Sequence, residues 1–220
     1  MKTAILLGAT GLTGGILLKK LLEDKNYSKI KVFSRRKLEM ENPKLEQHIL
    51  DLFQLEKLKN EFFGDEIFCC IGSTKKKTPE NDIYRKVDYG IPVAAAKMAK
   101  ENGISTFLVI SSLGSDPESR FFYNKTKGEM ERDVLQQKIP NTYIFRPSLI
   151  GGERQEKRIF EYLWKKVMLV GDKLLVGPLK KYESIHPEII AEAMMIVANS
   201  GCEKAIIASD EIKKIVKNRK

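Results

Sequence analysis

The sequence predicts an α/β protein in which helices cover both faces of a doubly wound parallel sheet. One observation is that short apolar runs rich in Val, Ile and Phe alternate with longer segments of helical period, which is typical of successive β–α–β units. A second is a glycine-rich turn between the first apolar run and the first helical segment. A third is that 220 residues, 42% of them apolar and 31% charged, suit a single domain over residues 1–220.

Each strand is predicted from a short apolar run, and each helix from apolar residues that recur with the helical period. The predicted strands lie near Ala4–Leu7, Ile30–Ser34, Gln47–Leu50, Glu66–Ile71, Thr106–Ser111, Thr142–Phe145 and Ala205–Ala208. The predicted helices lie near Leu12–Glu23, Leu55–Phe62, Ile83–Asn102, Phe122–Gln137, Phe160–Leu169 and Pro187–Asn199, and a further one is indicated from Asp210. Residues 147–186 break the alternation, so we expect a small substrate lobe there, after strand six and beside the carboxyl ends of the strands.

The first stretch, MKTAILLGATGLTGGILLKKLL, fits two interpretations. An export signal needs an unbroken apolar core followed by a cleavage site of small residues. Here four glycines interrupt the apolar run, and two lysines and another apolar periodic segment follow it. Glycine weakens an apolar helix but suits a turn with positive φ and close contact between backbone and ligand. The stretch therefore indicates a phosphate-binding turn.

The turn has the motif GxxGxxG, between a predicted strand and a predicted helix, which is the setting of a dinucleotide-binding turn. Gly8 allows the chain to turn sharply, Gly11 lets backbone N–H groups approach a pyrophosphate, and Gly14 permits close packing of helix on strand. A Walker-type loop is excluded because no Gly-Lys-Ser/Thr closes the motif, and the remaining alternative is a glycine-rich turn without a ligand. We expect a Rossmann-like fold, with cofactor contacts at Gly8, Thr10, Gly11, Leu12, Thr13 and Gly14.

Composition narrows the class of partner. The net charge of +10 suggests nucleic acid, but the lysines are mixed with Glu along helical segments and are not interleaved with aromatic residues, so neither nucleic acid nor a membrane is expected as a partner. The charge favours anionic small molecules instead. Three cysteines without metal-site spacing, and the isolated His48 and His186, predict neither disulfides nor a metal site. We expect a reduced, cytoplasmic protein that is a monomer or a homodimer.

The glycine motif, with Ala-Thr inside it, resembles that of the short-chain dehydrogenase/reductase superfamily in its extended and atypical branches. After the second strand, where an acidic residue would bind the ribose of NAD, this chain has Ser34-Arg35-Arg36. Guanidinium groups bind a 2′-phosphate bidentately, whereas a carboxylate repels it, so the sequence favours NADP(H); the alternative is a solvated basic loop. The resemblance also implies cofactor contacts after the third and fourth strands, at Asp51, Leu52, Cys70, Ile71, Gly72 and Ser73.

The pattern Tyr-xxx-Lys occurs three times, beginning at Tyr27, Tyr123 and Tyr162. About one match is expected by chance in a chain this basic, so position has to decide among them. Tyr27 is expected in a turn before the second strand, and Tyr162 on a late helix that no strand-end hydroxyl precedes. Tyr123 is expected at the start of a helix that follows a strand ending in Ser111-Ser112. The Tyr123 pair is therefore the catalytic candidate.

Tyr123 and Lys127 lie on one face of the predicted helix, where an ammonium favours ionisation of the phenol. A hydroxyl of Ser111 or Ser112 can polarise a carbonyl oxygen. This is the Ser, Tyr and Lys pattern of the resembled reductases, in which the Tyr and the Lys also contact the cofactor. The alternative is a surface pair, with the serines capping the strand.

A second set of motifs comprises Phe145-Arg146-Pro147, Gly151-Gly152, the run from Arg154 to Arg158, the Phe-Cys-Cys-Ile-Gly run and Lys127-Gly128-Glu129. These motifs resemble those of a narrower atypical group, the Tat-interacting-protein-type oxidoreductases. The resemblance implies further cofactor contacts at Ile150 and Arg158. One residue departs from the superfamily: Asp88 stands where many members have an Asn that completes a proton relay, so that relay is not assigned here.

These patterns predict an NADP(H)-binding oxidoreductase that transfers a hydride between the cofactor and a small carbonyl or alcohol. The alternative is a cofactor-binding redox sensor with little or no turnover. The Ser, Tyr and Lys residues favour the enzyme, and the departure at Asp88 favours the sensor. A sugar-nucleotide epimerase is disfavoured because the segment after Arg146 is short for a nucleotide-sugar lobe.

Overall fold

The computed structural model describes residues 1–74, 76–150 and 183–219. Its centre is a seven-stranded parallel sheet with the strand order β3-β2-β1-β4-β5-β6-β7. The strands are β1 (Lys2–Leu7), β2 (Tyr27–Ser34), β3 (Leu45–Ile49), β4 (Glu66–Cys69), β5 (Thr106–Ile110), β6 (Asn141–Arg146) and β7 (Ile206–Ala208). The strand order reverses between β1 and β4, as in the doubly wound folds that bind dinucleotides. The predicted Rossmann-like α/β fold is confirmed.

Helices cover both faces of this sheet. They are α1 (Leu12–Glu23), α2 (Asn81–Arg85), α3 (Ile91–Glu101), α4 (Phe122–Leu135), α5 (Pro187–Ser200) and α6 (Ser209–Lys217). The predicted helix Phe160–Leu169 and most of the expected lobe at 147–186 lie outside the described residues. Within the described ranges, no helix combines the length and the apolar character needed to cross a bilayer.

Two apolar clusters fill the space between sheet and helices, one on each face. Side chains of β1 alternate between them: Ala4 and Leu6 belong to one cluster, and Ile5 and Leu7 to the other. The first cluster is shared with α1, α5 and α6, and the second with α3 and α4. A strand that is apolar on both faces is what a parallel sheet covered by helices requires. Packing on both faces therefore holds the strands in place, and their carboxyl ends lie together at the edge of the sheet where the candidate site lies.

Two predicted helices differ from those observed. The segment predicted as a helix over Leu55–Phe62 is a 3-10 helix over Leu52–Leu58, which begins where the Asp51 carboxylate accepts a hydrogen bond from the Phe53 N–H. The long helix predicted over Ile83–Asn102 is divided by a π-helical turn, Lys86–Gly90, between α2 and α3. In that turn the Ile91 N–H bonds the carbonyl of Lys86, five residues earlier.

The expectation that Tyr27 lies in a turn is wrong. Tyr27 is the first residue of β2, where it pairs with Lys2 of β1 and is fully buried. Its hydroxyl donates to the carboxylate of Glu66, which also accepts from Lys2 Nζ at 2.9 Å. A buried phenol needs such a partner, and the carboxylate at the start of β4 provides it.

Candidate functional site

A cleft of about 780 Å³ opens where the sheet changes winding direction, beside the carboxyl ends of β1, β2, β3 and β4. Twelve residues predicted to contact the cofactor line it: Gly8, Thr10, Gly11, Ser34, Arg35, Arg36, Asp51, Leu52, Cys70, Ile71, Gly72 and Ser73. Leu12, Thr13 and Gly14 are not part of this lining; they follow Gly11 in the first turn of α1. The structure therefore brings the residues of four separate strand ends into one cleft.

The glycine turn leaves no room for side chains. Gly8 has a φ of +88°, and a Cβ atom there would lie 2.6 Å from the carbonyl oxygen of Cys70. A Cβ atom on Gly14 would lie 2.1 Å from the carbonyl oxygen of Gly8. Contacts this short are repulsive, so both positions require glycine. The glycine turn therefore packs in direct contact with the backbone at the end of β4.

The N-terminus of α1 is suited to an anion. Gly11 precedes the helix without a side chain to cap it, and the first turn carries no acidic residue. The first N–H groups of a helix lack partners within the helix, and they carry the positive end of its dipole. A pyrophosphate fits this position, as the sequence predicts for a dinucleotide.

Three consecutive cations line the cleft after β2. Arg35, Arg36 and Lys37 are exposed, and their side chains form no ion pair with any residue in the described ranges. The neighbouring Ser34 is buried, and its hydroxyl donates to the carbonyl of Arg36 at 2.6 Å, which fixes the shape of the loop. The arginines are thus free to bind an anionic ligand, and Ser34 acts on the loop that presents them.

The cleft has a further wall that the sequence did not indicate. Phe53 is 43% exposed and lies beside Asp51 in the cleft lining. The other lining residues missed by the sequence analysis are Phe33, Lys37, Lys77, Thr78, Glu80, Ile83, Val87 and Ile91. Lys37 and Phe53 directly follow predicted contacts, which was a usable signal. The residues from 77 onward had no such signal, because they reach the cleft only through the fold of the loop after β4 and the packing of α2, the π-helical turn and α3.

The loop after β4 is held by polar contacts. The Ser73 N–H donates to Asp88 Oδ2 at 2.7 Å, and the hydroxyls of Ser73 and Thr78 lie 2.7 Å apart. Burial raises the pKa of the Cys69 thiol to about 11 and also raises the pKa of the Cys70 thiol. Both thiols are therefore neutral, and they serve as packing groups beneath the glycine turn.

The predicted catalytic pair lies on α4. Tyr123 is 41% exposed, whereas Lys127, one helical turn later, is 3% exposed. Lys127 Nζ lies 2.9 Å from Oδ1 of the buried Asp88. Burial alone would lower the pKa of the Lys127 ammonium, but the neighbouring Asp88 and Tyr123 outweigh it and hold that pKa above its ordinary value. The Lys is therefore a buried cation at neutral pH, and neither member of the pair lines the cleft described above.

The predicted serines form a buried cluster with a third serine. The hydroxyls of Ser111 and Ser112 each lie 3.0 Å from the hydroxyl of Ser115, which donates to the carbonyl of Ser112 at 2.7 Å. Among the described residues, neither predicted serine hydrogen-bonds to Tyr123. Ser115 was missed by the sequence analysis, although its position in Ser-Ser-x-x-Ser was a visible signal. The cluster fixes the loop between β5 and α4.

A glycine on α4 holds that loop close to the helix. A Cβ atom on Gly128 would lie 2.2 Å from the backbone of Asp116 and Pro117. The N–H of Asp116 also donates to the carbonyl of Asn124 at 3.1 Å. The loop that follows the serines therefore packs directly on the helix that carries Tyr123 and Lys127.

The remaining candidates are placed as follows. Ile150 is half-buried and forms a parallel bridge with Ile185, whereas Arg158 and the Tyr162 motif lie outside the described residues. The ring of His48 stacks on Phe33 with 4.5 Å between centroids. In the described ranges, no group of His, Cys, Asp and Glu side chains is arranged to hold a metal ion.

Comparison with known proteins assigns the family. Residues 8–151 match the family described as NAD(P)H-binding. Protein FMP52, mitochondrial, of Meyerozyma guilliermondii is 35% identical over 97% of this chain and 95% of its own length. Protein HTATIP2 of Rattus norvegicus is 36% identical over 75% of this chain and 69% of its own length. The Bordetella bronchiseptica enzyme WbmH, solved in complex with NAD+, superposes with a TM-score of 0.71 at 13% identity, covering 95% of this chain and 76% of WbmH.

These relatives correct one expectation and confirm another. The prediction of a cytoplasmic protein is contradicted, because FMP52 proteins from several yeasts are named mitochondrial. Composition and cysteine content did not distinguish between these compartments. The resemblance to the Tat-interacting-protein type is confirmed by the match to HTATIP2. The chain belongs to the NAD(P)H-binding family and is an atypical short-chain dehydrogenase/reductase.

Proposed function

We propose that the protein is an NADP(H)-dependent oxidoreductase that interconverts a small carbonyl compound and its alcohol. The observation that carries the proposal is the arrangement on α4, where Lys127 is buried as a cation one turn from the partly exposed Tyr123. A buried cation is costly, and such groups are more often found where chemistry needs them than on an ordinary helix face.

The preference for NADP(H) is inferred from the loop after β2. Arg35 and Arg36 line the cleft without carboxylate partners among the described residues, and no acidic residue takes the position that binds the ribose of NAD. Charge-assisted hydrogen bonds to a phosphate are among the stronger polar contacts in proteins. A 2′-phosphate would supply the missing anion.

NADPH, when bound, supplies the hydride. Tyr123 then donates its hydroxyl proton to the carbonyl oxygen of the substrate, acting as a positioned acid. Lys127 presents its ammonium beside this phenol and binds the cofactor ribose, as the family resemblance implies. Ser111 or Ser112 orients the carbonyl oxygen. We expect the protein to act as a single domain over residues 1–220, as a monomer or a homodimer.

One observation favours a second function, a cofactor-binding redox sensor with little turnover. The hydroxyls of Ser111 and Ser112 are buried and are already engaged with Ser115. A serine that polarises a substrate would have to exchange this contact for the substrate oxygen. In a sensor, no such exchange is needed, and the cluster would be purely structural.

A carbonyl panel separates the two functions. The purified protein is mixed with NADPH and with aldehydes and ketones of differing size, and the loss of NADPH absorbance is followed. Turnover of at least one compound that Tyr123→Phe abolishes is expected. Tight NADPH binding without turnover on any compound would favour the sensor, and absence of NADPH binding would remove both proposals.

A further inference from the structure

Asp88 is a buried carboxylate that faces Lys127. Asp88 is 1% exposed, and its Oδ1 lies 2.9 Å from Lys127 Nζ. Its Oδ2 accepts the N–H of Ser73 at 2.7 Å. Two charges can be buried together when they pair closely and their remaining polar atoms also find partners. Both carboxylate oxygens are thus directed, one to α4 and the other to the loop after β4.

The position of Asp88 depends on an unusual backbone. It lies in the middle of the π-helical turn, Lys86–Gly90, that separates α2 from α3. A π-helical turn accommodates one more residue than an α-helical turn and is frequently found at functional sites. The backbone irregularity and the buried charge therefore coincide at one residue.

Gly72 brings this ion pair close to the cleft. Gly72 is exposed and lines the cleft, and a Cβ atom on it would lie 3.5 Å from Asp88 Oδ1 and 3.9 Å from Lys127 Nζ. A side chain at this position would fill the space between the ion pair and a ligand. Asp88 Oδ1 faces the Lys127 ammonium as its ion-pair partner. Because Gly72 has no side chain, the ammonium lies beside an opening in the cleft wall at that residue.

Among the described residues, the other titratable groups around the pair are Cys69 on β4, Tyr84 on α2 and Tyr123 on α4. Burial raises the pKa of Cys69 to about 11 and also raises the pKa of Tyr84, so neither supplies a negative charge at neutral pH. Asp88 is the carboxylate that can stabilise Lys127 in its charged form.

We propose that Asp88 is a positioning residue, which keeps the buried Lys127 ammonium charged and holds it at the Gly72 opening for a ligand in the cleft. Without the carboxylate, the ammonium would remain buried with no counter-charge and would release its proton at a lower pH. The identity of the ligand as NADPH rests on the proposed function. The effect of Asp88 on Lys127 does not.

The first experiment uses the protein without cofactor. Lysine ε-carbons are labelled with ¹³C, and the Lys127 resonance is identified by its absence in Lys127→Met. In the wild type this resonance should not titrate up to about pH 10, whereas in Asp88→Asn it should titrate about two pH units lower or more. Asp88→Glu, which retains the charge, should restore the wild-type behaviour. The control Asp210→Asn removes a carboxylate on α6 that pairs with Lys214, and it should leave Lys127 unchanged.

The second experiment measures NADPH affinity against pH by fluorescence. Near pH 6, Asp88→Asn should bind NADPH with the same affinity as the wild type. By pH 9 its NADPH affinity should have fallen about tenfold or more, while the affinity of the wild type should be unchanged. A wild-type Lys127 that titrates below pH 9 overturns the proposal, as does an Asp88→Asn variant that folds and titrates like the wild type. If Asp88→Asn does not fold, the wild-type and Asp88→Glu titrations decide by the same criterion. If the titrations agree with the proposal but Lys127→Met binds NADPH normally, then the role of Asp88 stands and the proposed cofactor contact of Lys127 is wrong.

Discussion

A Cβ atom on Gly14 would lie 2.1 Å from the carbonyl oxygen of Gly8, so the first helix and the first strand are joined by a backbone contact that only glycine allows. The same strand end meets Cys70, because a Cβ atom on Gly8 would lie 2.6 Å from the Cys70 carbonyl oxygen. The glycine turn is therefore a packed junction of β1, α1 and β4. Its geometry is coupled both to stability and to the cleft.

Gly14→Ala should weaken both folding and cofactor binding. The added methyl group overpacks the junction, which typically costs about 1–3 kcal/mol in the free energy of unfolding. Displacing the turn from the cleft should lower NADPH affinity by about tenfold, the equivalent of about 1.4 kcal/mol. Urea unfolding and fluorescence titration measure the two effects. Gly90→Ala is the matched control for the stability effect, because the nearest atom to its Cβ would be 4.0 Å away and its backbone is helical. An equal loss of stability in both variants would contradict the argument.

Replacing Arg35 and Arg36 with Ala should reduce NADP(H) affinity more than NAD(H) affinity. Hydrogen bonds to a charged group contribute about 1.5–3 kcal/mol each, so the double variant should lose about tenfold or more for the phosphorylated cofactor alone. Parallel titrations with the two cofactors give the ratio. Arg132→Ala, on α4 and outside the cleft lining, should leave the ratio unchanged. Wild-type protein that binds both cofactors equally well would exclude the proposed role of the arginines.

Tyr123→Phe should abolish turnover while leaving the fold intact. The change removes one hydroxyl from a side chain that is 41% exposed and keeps its ring, which packs edge-on against Tyr84 at 6.3 Å between centroids. Loss of a positioned acid typically lowers the rate by about 100-fold or more. The melting temperature and NADPH affinity should change little. Tyr89→Phe removes a hydroxyl that donates to Asp133 at 2.7 Å outside the cleft lining, and it should keep its activity. Full activity in Tyr123→Phe would require a different acid.

Glu66 should make stability fall as the pH rises. Burial raises the pKa of its carboxyl above the ordinary 4.5, against the opposing hydrogen bonds from Tyr27 and Lys2. The folded protein therefore retains this proton at pH values where the unfolded chain has lost it. The resulting stabilisation is complete below pH 4.5 and is lost as the pH rises through the raised pKa. Urea unfolding between about pH 4 and 8 should show the wild type losing stability relative to Glu66→Gln.

The control for this prediction has the opposite sign. The hydrogen bond from Lys29 lowers the pKa of Glu46, so its contribution is present above the ordinary pKa and is lost as the pH falls. The wild type should therefore gain stability relative to Glu46→Gln as the pH rises. If the stability difference from the wild type changed with pH in the same direction for both variants, burial would not be what sets the pKa of Glu66.

The positions of the strands, the glycine turn and the basic loop after β2 were predictable because each depends on residues close together in the chain. The spacing at which apolar residues recur along the chain distinguishes a strand from a helix. Spaced glycines between a strand and a helix imply a tight turn, whatever the surrounding structure is. The same reasoning assigned Tyr27 wrongly, since only its burial against Glu66 extends β2 back to that residue. The π-helical turn was also missed, because apolar residues continue to recur at helical spacing across it.

The sequence by itself determined the doubly wound α/β fold, the glycine turn and the presence of cations after β2, since all three follow from local backbone preferences and residue type. Only the tertiary structure decided that Lys127 is buried against Asp88 and that Lys77 lines the cleft. These contacts join residues that are distant in the chain or lie on irregular loops. Their geometry depends on strand register, helix packing and a π-helical turn, and no local pattern encodes these.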